Sequence, residues 1–168
     1  DLHLRESAIP EERKHMDNAN TIVKPLKIQL EFSPKTYEID FSGVLSNIVY
    51  VKWLEDLRLA MLARYLPLQN LMEKEMVPMI VSTQIQYKSP VVLFDTVSGE
   101  AWLRDLGRSS WKLAFVFTIA ERGRIAAEAD QNGLFINLKT QRPVRVPEEL
   151  NALYQQEIVR TPTSVEGV

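Results

Sequence analysis

The chain has 168 residues, of which 45% are apolar and 25% are charged, and its formal net charge is −2. These values predict one ordinary globular domain and exclude a fibrous or disordered chain, and the charge gives no broad footprint for nucleic acid. No run of 18 apolar residues predicts a membrane span, and no basic region precedes an apolar core at the N-terminus, so we expect a cytoplasmic protein.

The supply of catalytic side chains narrows the possible chemistry. The chain contains no cysteine, which excludes disulfides, thiolate zinc sites and a cysteine nucleophile. Its two histidines, His3 and His15, both precede the first strand-like segment. Because Ser-His and Cys-His mechanisms need an imidazole, an enzyme of this sequence would depend mostly on carboxylates, with Lys or Tyr as weaker candidates.

The chain divides into a leader, one domain and a tail. Residues 1–21 are polar and predict a leader or a cloning remnant, residues 22–158 predict a single domain, and residues 159–168 predict a tail. Two short strands are predicted at residues 22–32 and 35–39, with a break at Pro34.

A long helix is predicted from about residue 46 to residue 65, and Pro67 ends it. Apolar residues recur at helical spacing from Tyr50 to Met61, and further apolar residues widen this stripe, so we expect the helix to be covered on more than one side. Glu55 and Arg58 lie three residues apart, which predicts an ion pair on its surface. A second, short helix is predicted at residues 68–76.

The remainder of the sequence predicts an antiparallel meander followed by a helix. Alternating apolar residues predict four strands, at residues 80–87, 96–104, 111–121 and 125–138. A hairpin turn is predicted at residues 121–124, a turn or bulge at Asn132 and Gly133, and a C-terminal helix from Pro147. Because the meander must close its apolar face on the long helix, we expect an α+β fold.

The start of the long helix carries a family pattern. The residues that fit it are Asp40, Gly43, Val44, Asn47, Tyr50, Trp53, Glu55 and Arg58. Their order and spacing resemble the hotdog-fold acyl-CoA thioesterases of the 4-hydroxybenzoyl-CoA thioesterase type. Later segments match too, namely YKSPV at 87–91, Asp95, GRSSWKLAF from Gly107 and QRPVRVPEEL ending at Leu150. The resemblance covers roughly residues 24–150 and implies a hotdog fold, an antiparallel sheet wrapped around one long central helix.

The resemblance implies hydrolysis of an acyl thioester, carried by CoA or by acyl-carrier protein, to a free acid and a thiol. Asp40 would be the catalytic carboxylate, either as nucleophile or as general base, and the backbone N–H of Asn47 would bind the thioester oxygen. Physical chemistry supports this, because the first N–H groups of a helix lack internal partners and can stabilise an oxygen that gains negative charge. The same helix dipole would keep Asp40 ionised.

The resemblance also implies substrate contacts, cofactors and partners. The predicted substrate-binding residues are Gly43, Val44, Tyr50, Lys88, Ser109 and Ser110. A structural role is open for several of them, since Tyr50 fits a core or interface aromatic and the two serines fit a β-turn. No metal or other cofactor is implied. Domains of this family pair with each active site across the interface, so we expect a homodimer or homotetramer, which would also cover exposed strand edges.

One departure from the family pattern leaves a second interpretation open. Many relatives carry His directly after the glycine or at the position of Asn47, whereas this chain has Val44 and Asn47. An amide can orient a carbonyl or a water molecule, but it cannot relay a proton near neutral pH. The alternative is therefore a non-catalytic acyl-thioester-binding protein or an accessory subunit.

Overall fold

The computed structural model describes residues 22–159. The predicted leader at residues 1–21 lies outside the described residues, as does residue 160 onwards of the predicted tail. The elements in chain order are β1 (Ile28–Phe32), α1 (Asn47–Tyr65), α2 (Leu68–Glu73), β2 (Met76–Tyr87), β3 (Val97–Leu106), β4 (Ser110–Ile119), β5 (Arg124–Asn137) and α3 (Glu148–Val159).

All five strands form one antiparallel sheet in the order β1-β3-β4-β5-β2. The meander β3-β4-β5 is its centre, and β1 and β2 are its two edges. Leu54 and Leu57 of α1 are fully buried, and they belong to the same core cluster as Phe115 and Phe117 of β4. The predicted α+β arrangement, one long helix packed against an antiparallel sheet, is confirmed.

Helix α1 has nearly the predicted bounds, and its apolar stripe is only partly covered. Ser46 precedes it with an extended backbone (φ −62°, ψ 138°), and Asn47 is the first helical residue. Residues 22–159 do not cover a second side of the helix as expected, because Ile48 is 72% exposed and Val51 is 54% exposed. Although α1 is long, none of the helices among residues 22–159 has the apolar character needed to cross a bilayer.

The strand predicted at residues 35–39 is wrong. A 3-10 turn at Thr36–Glu38 replaces it, because the Lys35 N–H donates to Glu38 Oε2 at 2.9 Å and the Glu38 N–H donates back to the Lys35 carbonyl at 2.8 Å. These local bonds satisfy groups that a strand would pair with a neighbour. The first predicted strand is also shorter than expected, since Leu26 turns the chain with φ 53° before β1 begins.

The second predicted helix ends early, and β2 begins before its predicted start. Helix α2 ends at Glu73, and Glu75 turns the chain with φ 56° directly before Met76 opens β2. Pro78 therefore lies inside a strand. It is tolerated there because β2 is an edge strand that pairs with β5 alone.

The irregularity predicted at Asn132 and Gly133 lies in the strand that faces them. The register of β2 shifts between Ile80 and Ser82, and these two residues pair with Gly133 and Asn132. A Cβ atom on Gly133 would lie only 2.0 Å from the ring of Trp111. The glycine therefore leaves the room that this indole occupies beside the sheet.

Candidate active site

The segment between β1 and α1 forms a tight turn that places Asp40 beside the start of the helix. Ile39 and Leu45 form an antiparallel bridge. Between them, the Asp40 N–H donates to the Val44 carbonyl at 2.9 Å and the Gly43 N–H donates to the Asp40 carbonyl at 3.0 Å. Gly43 has φ 79°, a conformation that a residue with a side chain rarely adopts. The turn therefore brings the predicted carboxylate and the first helical residues to the same end of α1.

The Asp40 carboxylate is partly exposed and is held by its near neighbour. Its Oδ1 accepts hydrogen bonds from the Ser42 hydroxyl at 2.5 Å and from the Ser42 N–H at 2.8 Å. These two bonds, the hydroxyl first, lower the pKa of Asp40 below its usual value. We expected the helix dipole to keep Asp40 ionised, and the structure supplies a closer cause in Ser42.

The start of α1 presents free backbone donors. The N–H groups of Asn47 and Ile48 meet no hydrogen-bond acceptor among residues 22–159. Ser46 is of a type that commonly caps such groups with its side chain, yet it makes no such bond here. The nearest backbone bond runs from the Val49 N–H to the Ser46 carbonyl at 3.0 Å. Two aligned donors are thus left at the positive end of the helix, where they can receive a developing oxyanion.

Tyr87, the last residue of β2, reaches the same helix start. Its hydroxyl donates to the Asn47 carbonyl at 3.4 Å, and its ring meets the Tyr50 ring edge-on with centroids 5.3 Å apart. Burial raises the pKa of Tyr50 to about 12 and raises the pKa of Tyr87 as well. Neither phenol can act as a base near neutral pH.

Tyr87 was missed as a site residue by the sequence reasoning. It appears in the sequence only as the first letter of the matched segment YKSPV. The available signal was its place at the end of a predicted strand inside a family motif. Its position against Asn47 depends on a tertiary contact over 40 residues, which no local pattern shows.

Four of the predicted substrate-binding residues lie at this end of the molecule, and the first of them is Gly43 of the Asp40 turn. Val44 lies in the Asp40 turn and is half-buried. Tyr50 is only 3% exposed and packs against Trp53, which fits the structural role that its residue type allows. Lys88 follows Tyr87 and forms an ion pair with Glu128 at 2.5 Å. Their contacts with substrate stay predictions.

The two predicted serines lie at the opposite end of α1. The Ser109 carbonyl accepts the Phe135 N–H at 2.9 Å, and Ser110 begins β4. Phe135 lines a small apolar cavity of about 50 Å³ together with Met61 from the last turns of α1. A helix rises 1.5 Å per residue, so Met61 lies about 20 Å along the axis from Asn47. Within one chain the structure therefore does not bring the serines or this cavity to Asp40.

A polar network of four residues lies between the two ends. Arg58 Nη1 donates to Gln131 Oε1 at 3.2 Å, and Gln131 Nε2 donates to Thr83 Oγ1 at 3.2 Å. Arg58 also forms the predicted ion pair with Glu55. Gln131 is 2% exposed, so the network is buried at its centre. The sequence indicated only the Glu55–Arg58 pair, because the other two partners come from distant strands.

Comparison with known proteins identifies the family of this chain. A family model described as the thioesterase-like superfamily matches residues 34–153, which is well over half of the chain. The chain belongs to the thioesterase-like superfamily. The predicted kinship with hotdog-fold thioesterases, and with it the enzyme class of thioester hydrolase, is confirmed.

This member of the thioesterase-like superfamily is similar to a named enzyme and to a crystal structure from Escherichia coli. It is 26% identical over 131 residues to the long-chain acyl-CoA thioesterase FadM of Escherichia coli K12, an alignment that covers 78% of this chain and 99% of FadM. The crystal structure of YbaW, a probable thioesterase from Escherichia coli, matches with a TM-score of 0.69 at 26% identity, covering 77% of this chain and 98% of YbaW.

A third likeness extends over more of the chain. SAV2348 of Staphylococcus aureus, solved in complex with CoA, matches with a TM-score of 0.74 at 17% identity and covers 89% of this chain and 94% of SAV2348. At that identity the likeness speaks for the fold alone. Together with YbaW it confirms the predicted hotdog architecture.

Proposed function

We propose that this protein hydrolyses an acyl-CoA thioester to a free acid and CoA, with Asp40 as the catalytic carboxylate and the Asn47 N–H as the oxyanion donor. The observation that carries the proposal is the pairing of an ionised, partly exposed carboxylate with a helix start whose first N–H groups have no acceptor among residues 22–159. The names of FadM and of the SAV2348–CoA complex support CoA as the carrier. Acyl-carrier protein is the other carrier to test, and the cytoplasm is the proposed location.

The chemistry needs two things that this end of α1 can supply. As a nucleophile adds to the thioester carbonyl, the carbonyl oxygen gains negative charge, and preorganised N–H donors stabilise that charge more than they stabilise the ground state. The nucleophile itself must be generated near neutral pH, and residues 22–159 contain no histidine. The Asp40 carboxylate is ionised at that pH and available for the purpose, and its lowered pKa makes it a weaker base than an ordinary aspartate.

Two routes use the same residues. In the general-base route, Asp40 takes a proton from water, the oxygen of that water bonds to the acyl carbon, and the carbon–sulfur bond breaks to release the thiolate. In the nucleophilic route, an Asp40 oxygen bonds to the acyl carbon, the thiolate leaves, and water then hydrolyses the mixed anhydride. A rapid acid quench separates them, because only the second route leaves the acyl mass on the peptide that contains Asp40.

The first test replaces the carboxylate by an amide of the same shape. Asp40→Asn keeps an oxygen that can accept the two Ser42 bonds, so the turn should persist while the charge is lost. We expect kcat for thiol release from short, medium, long and aromatic acyl-CoAs to fall by about 10²–10⁴-fold. The chain has no cysteine, so every thiol detected comes from the substrate.

The matched control is Asp56→Asn, which makes the same change at an exposed position of α1. It should leave turnover within about twofold, since no catalytic role depends on that exposed group. Wild-type turnover in Asp40→Asn would contradict the proposed catalytic role.

The alternative function is binding of an acyl thioester without cleavage. The observation that favours it is Val44 at the position next to the glycine, where many relatives carry a histidine. The same assay decides, because a binder would retain acyl-CoA, for example in isothermal titration, while releasing no thiol. Its affinity would also be unaffected by Asp40→Asn.

We also propose that two copies pair through β2. This strand is an edge of the sheet formed by residues 22–159 and exposes Met79 and Val81, and α1 exposes Ile48 and Val51. Antiparallel pairing of two β2 strands would bring the Ser110 end of one chain to the Asp40 end of the other. That arrangement would let Ser109 and Ser110 serve the site of the second copy, and it is compatible with a homodimer or a homotetramer.

A further inference from the structure

Asp95 and Arg122 form a charged pair that has no part in the proposed chemistry. Asp95 is 6% exposed, and both of its oxygens face one guanidinium. Arg122 Nη1 donates to Asp95 Oδ1 at 3.0 Å, and Arg122 Nη2 donates to Asp95 Oδ2 at 2.6 Å. Asp95 Oδ2 also accepts the Val92 N–H at 2.8 Å. A two-pronged contact of this kind fixes both distance and orientation, which a lysine cannot reproduce.

The pair joins the β4–β5 turn, residues 120–123, to the loop at residues 90–96. The carboxylate of Glu121 accepts the Thr96 N–H at 2.9 Å, and the Ala120 N–H donates to the Thr96 carbonyl at 2.8 Å. These bonds hold the end of the loop, and Arg122 binds the neighbouring Asp95, whose carboxylate also accepts the Val92 N–H from the middle of the loop. The loop is therefore anchored to the sheet by groups from a single turn.

The same loop contacts the turn that carries Asp40. The Val91 carbonyl accepts the Leu45 N–H at 2.8 Å, and both residues are almost fully buried. Leu45 lies two residues before Asn47, and its neighbour Val44 accepts the Asp40 N–H. A displacement of the loop would thus move the two groups of the proposed site relative to each other.

We propose that Asp95 and Arg122 are positioning residues of the proposed active site. They hold the loop at residues 90–96 against Leu45, and through it they fix the separation between the Asp40 carboxylate and the Asn47 N–H. This inference rests on the proposed function. Preorganised donors stabilise a transition state only when they are already in place, and a misplacement of about 1 Å can lower the rate by about 10²-fold.

The test compares three arginine variants by steady-state kinetics and by amide hydrogen exchange. Arg122→Ala should lower kcat by about 10- to 100-fold with KM changed by less than about twofold, and Arg122→Lys should recover part of the loss. Arg124→Ala removes an arginine from an exposed position two residues away and should match the wild type. The Leu45 amide should exchange about tenfold faster in Arg122→Ala than in the wild type, because the acceptor loop is released.

The outcomes separate positioning from mere stability. Asp95→Asn keeps the shape and removes the charge, so it gives a second measurement if Arg122→Ala folds poorly. A lower melting temperature with unchanged kcat per folded molecule and unchanged Leu45 exchange overturns the positioning role. Absence of turnover in the wild type overturns the proposed function instead, and the exchange rate at Leu45 then still shows whether the pair holds the helix start.

Discussion

The charge state of Asp40 is set by atoms within two residues of it. Its carboxylate accepts two hydrogen bonds from Ser42, one from the hydroxyl and one from the backbone. Hydrogen bonds to the ionised form favour that form, so they act in the same direction as a nearby helix N-terminus. The ionised form of this carboxylate is therefore favoured by hydrogen bonds from its near neighbours along the chain.

This local control predicts the pH dependence of catalysis. Because the pKa of Asp40 is lowered, kcat/KM should stay level from neutral pH through the range where an ordinary aspartate titrates and fall only as the pH drops through the lowered pKa. Ser42→Ala removes the largest cause of the shift, so the acid limb should move to higher pH. The measurement is the pH profile of kcat/KM for both proteins, with Ser33→Ala as a serine control at an exposed position.

The lowered pKa of Asp40 also makes the free energy of unfolding decrease at acid pH. The folded-state pKa of Asp40 lies below the unfolded value, so its contribution is present above the unfolded pKa and is lost as the pH falls through the folded one. For catalysis, the contradicting outcome is an acid limb of the kcat/KM profile that lies at the same pH in Ser42→Ala and in the wild type. That result would show that the limb does not report Asp40.

Single positions could be predicted from the sequence only where chain neighbours decide the role. The family pattern singled out Asp40 and Asn47, which are seven residues apart, and the structure brings both to one end of α1. The roles of Tyr87, Asp95 and Arg122 depend on partners 27 to 40 residues away. Such contacts form only when strands assemble, which explains why spacing along the chain did not reveal them.

At the scale of elements, periodicity correctly predicted the helix and the strands that bury one apolar face. The helical spacing from Tyr50 to Met61 and the alternation along β3 to β5 each reflect one apolar face, and these elements have nearly their predicted bounds. Residues 35–39 alternate too, but local hydrogen bonds at Lys35 decided their structure. Periodicity fails where a turn satisfies its own backbone groups.

The helix start allows the proposed oxyanion donor, the Asn47 N–H, to be deleted without changing the Asp40 side chain. Proline is well tolerated at the first position of a helix and lacks an N–H, and Ser46 already has the extended backbone that a residue before proline prefers. Asn47→Pro should therefore keep α1 intact and lower kcat by about 10²–10³-fold. The measurement is thiol release together with helix content by circular dichroism.

Asn47→Ala is the matched variant for this experiment, because it removes the side-chain amide and keeps the backbone donor. It should retain most of the activity. Equal losses in both variants would show that the side chain, and not the N–H, carries the role. An unaffected kcat in Asn47→Pro would exclude this N–H as the oxyanion donor.

At the scale of the whole molecule, the exposed apolar residues Met79 and Val81 on the edge strand β2 predict self-association. Val81 is 64% exposed on this edge, and charged edge residues oppose strand pairing between chains. Val81→Lys should convert a dimer into a monomer, as measured by light scattering after size-exclusion chromatography. The matched control is Val159→Lys, at an exposed position of α3 far along the chain.

A monomeric wild type would overturn the pairing proposal. A single sequence gave only the exposed-edge argument and a family resemblance for this association, because a partner surface leaves no periodic signal of its own. The expectation that α1 is covered on more than one side has the same status. A second copy on Ile48 and Val51 would meet that expectation, since both are exposed in the part of the chain that the structure describes.

The polar network has a consequence for which acyl groups the protein would accept. An alkyl chain that followed α1 from Asn47 would meet the Arg58–Gln131 hydrogen bond after about 16 Å. To continue, it would have to strand buried polar groups at about 1–3 kcal/mol each. The network would thus limit the length of the acyl chain, and the position of Arg58 along α1 would set that limit.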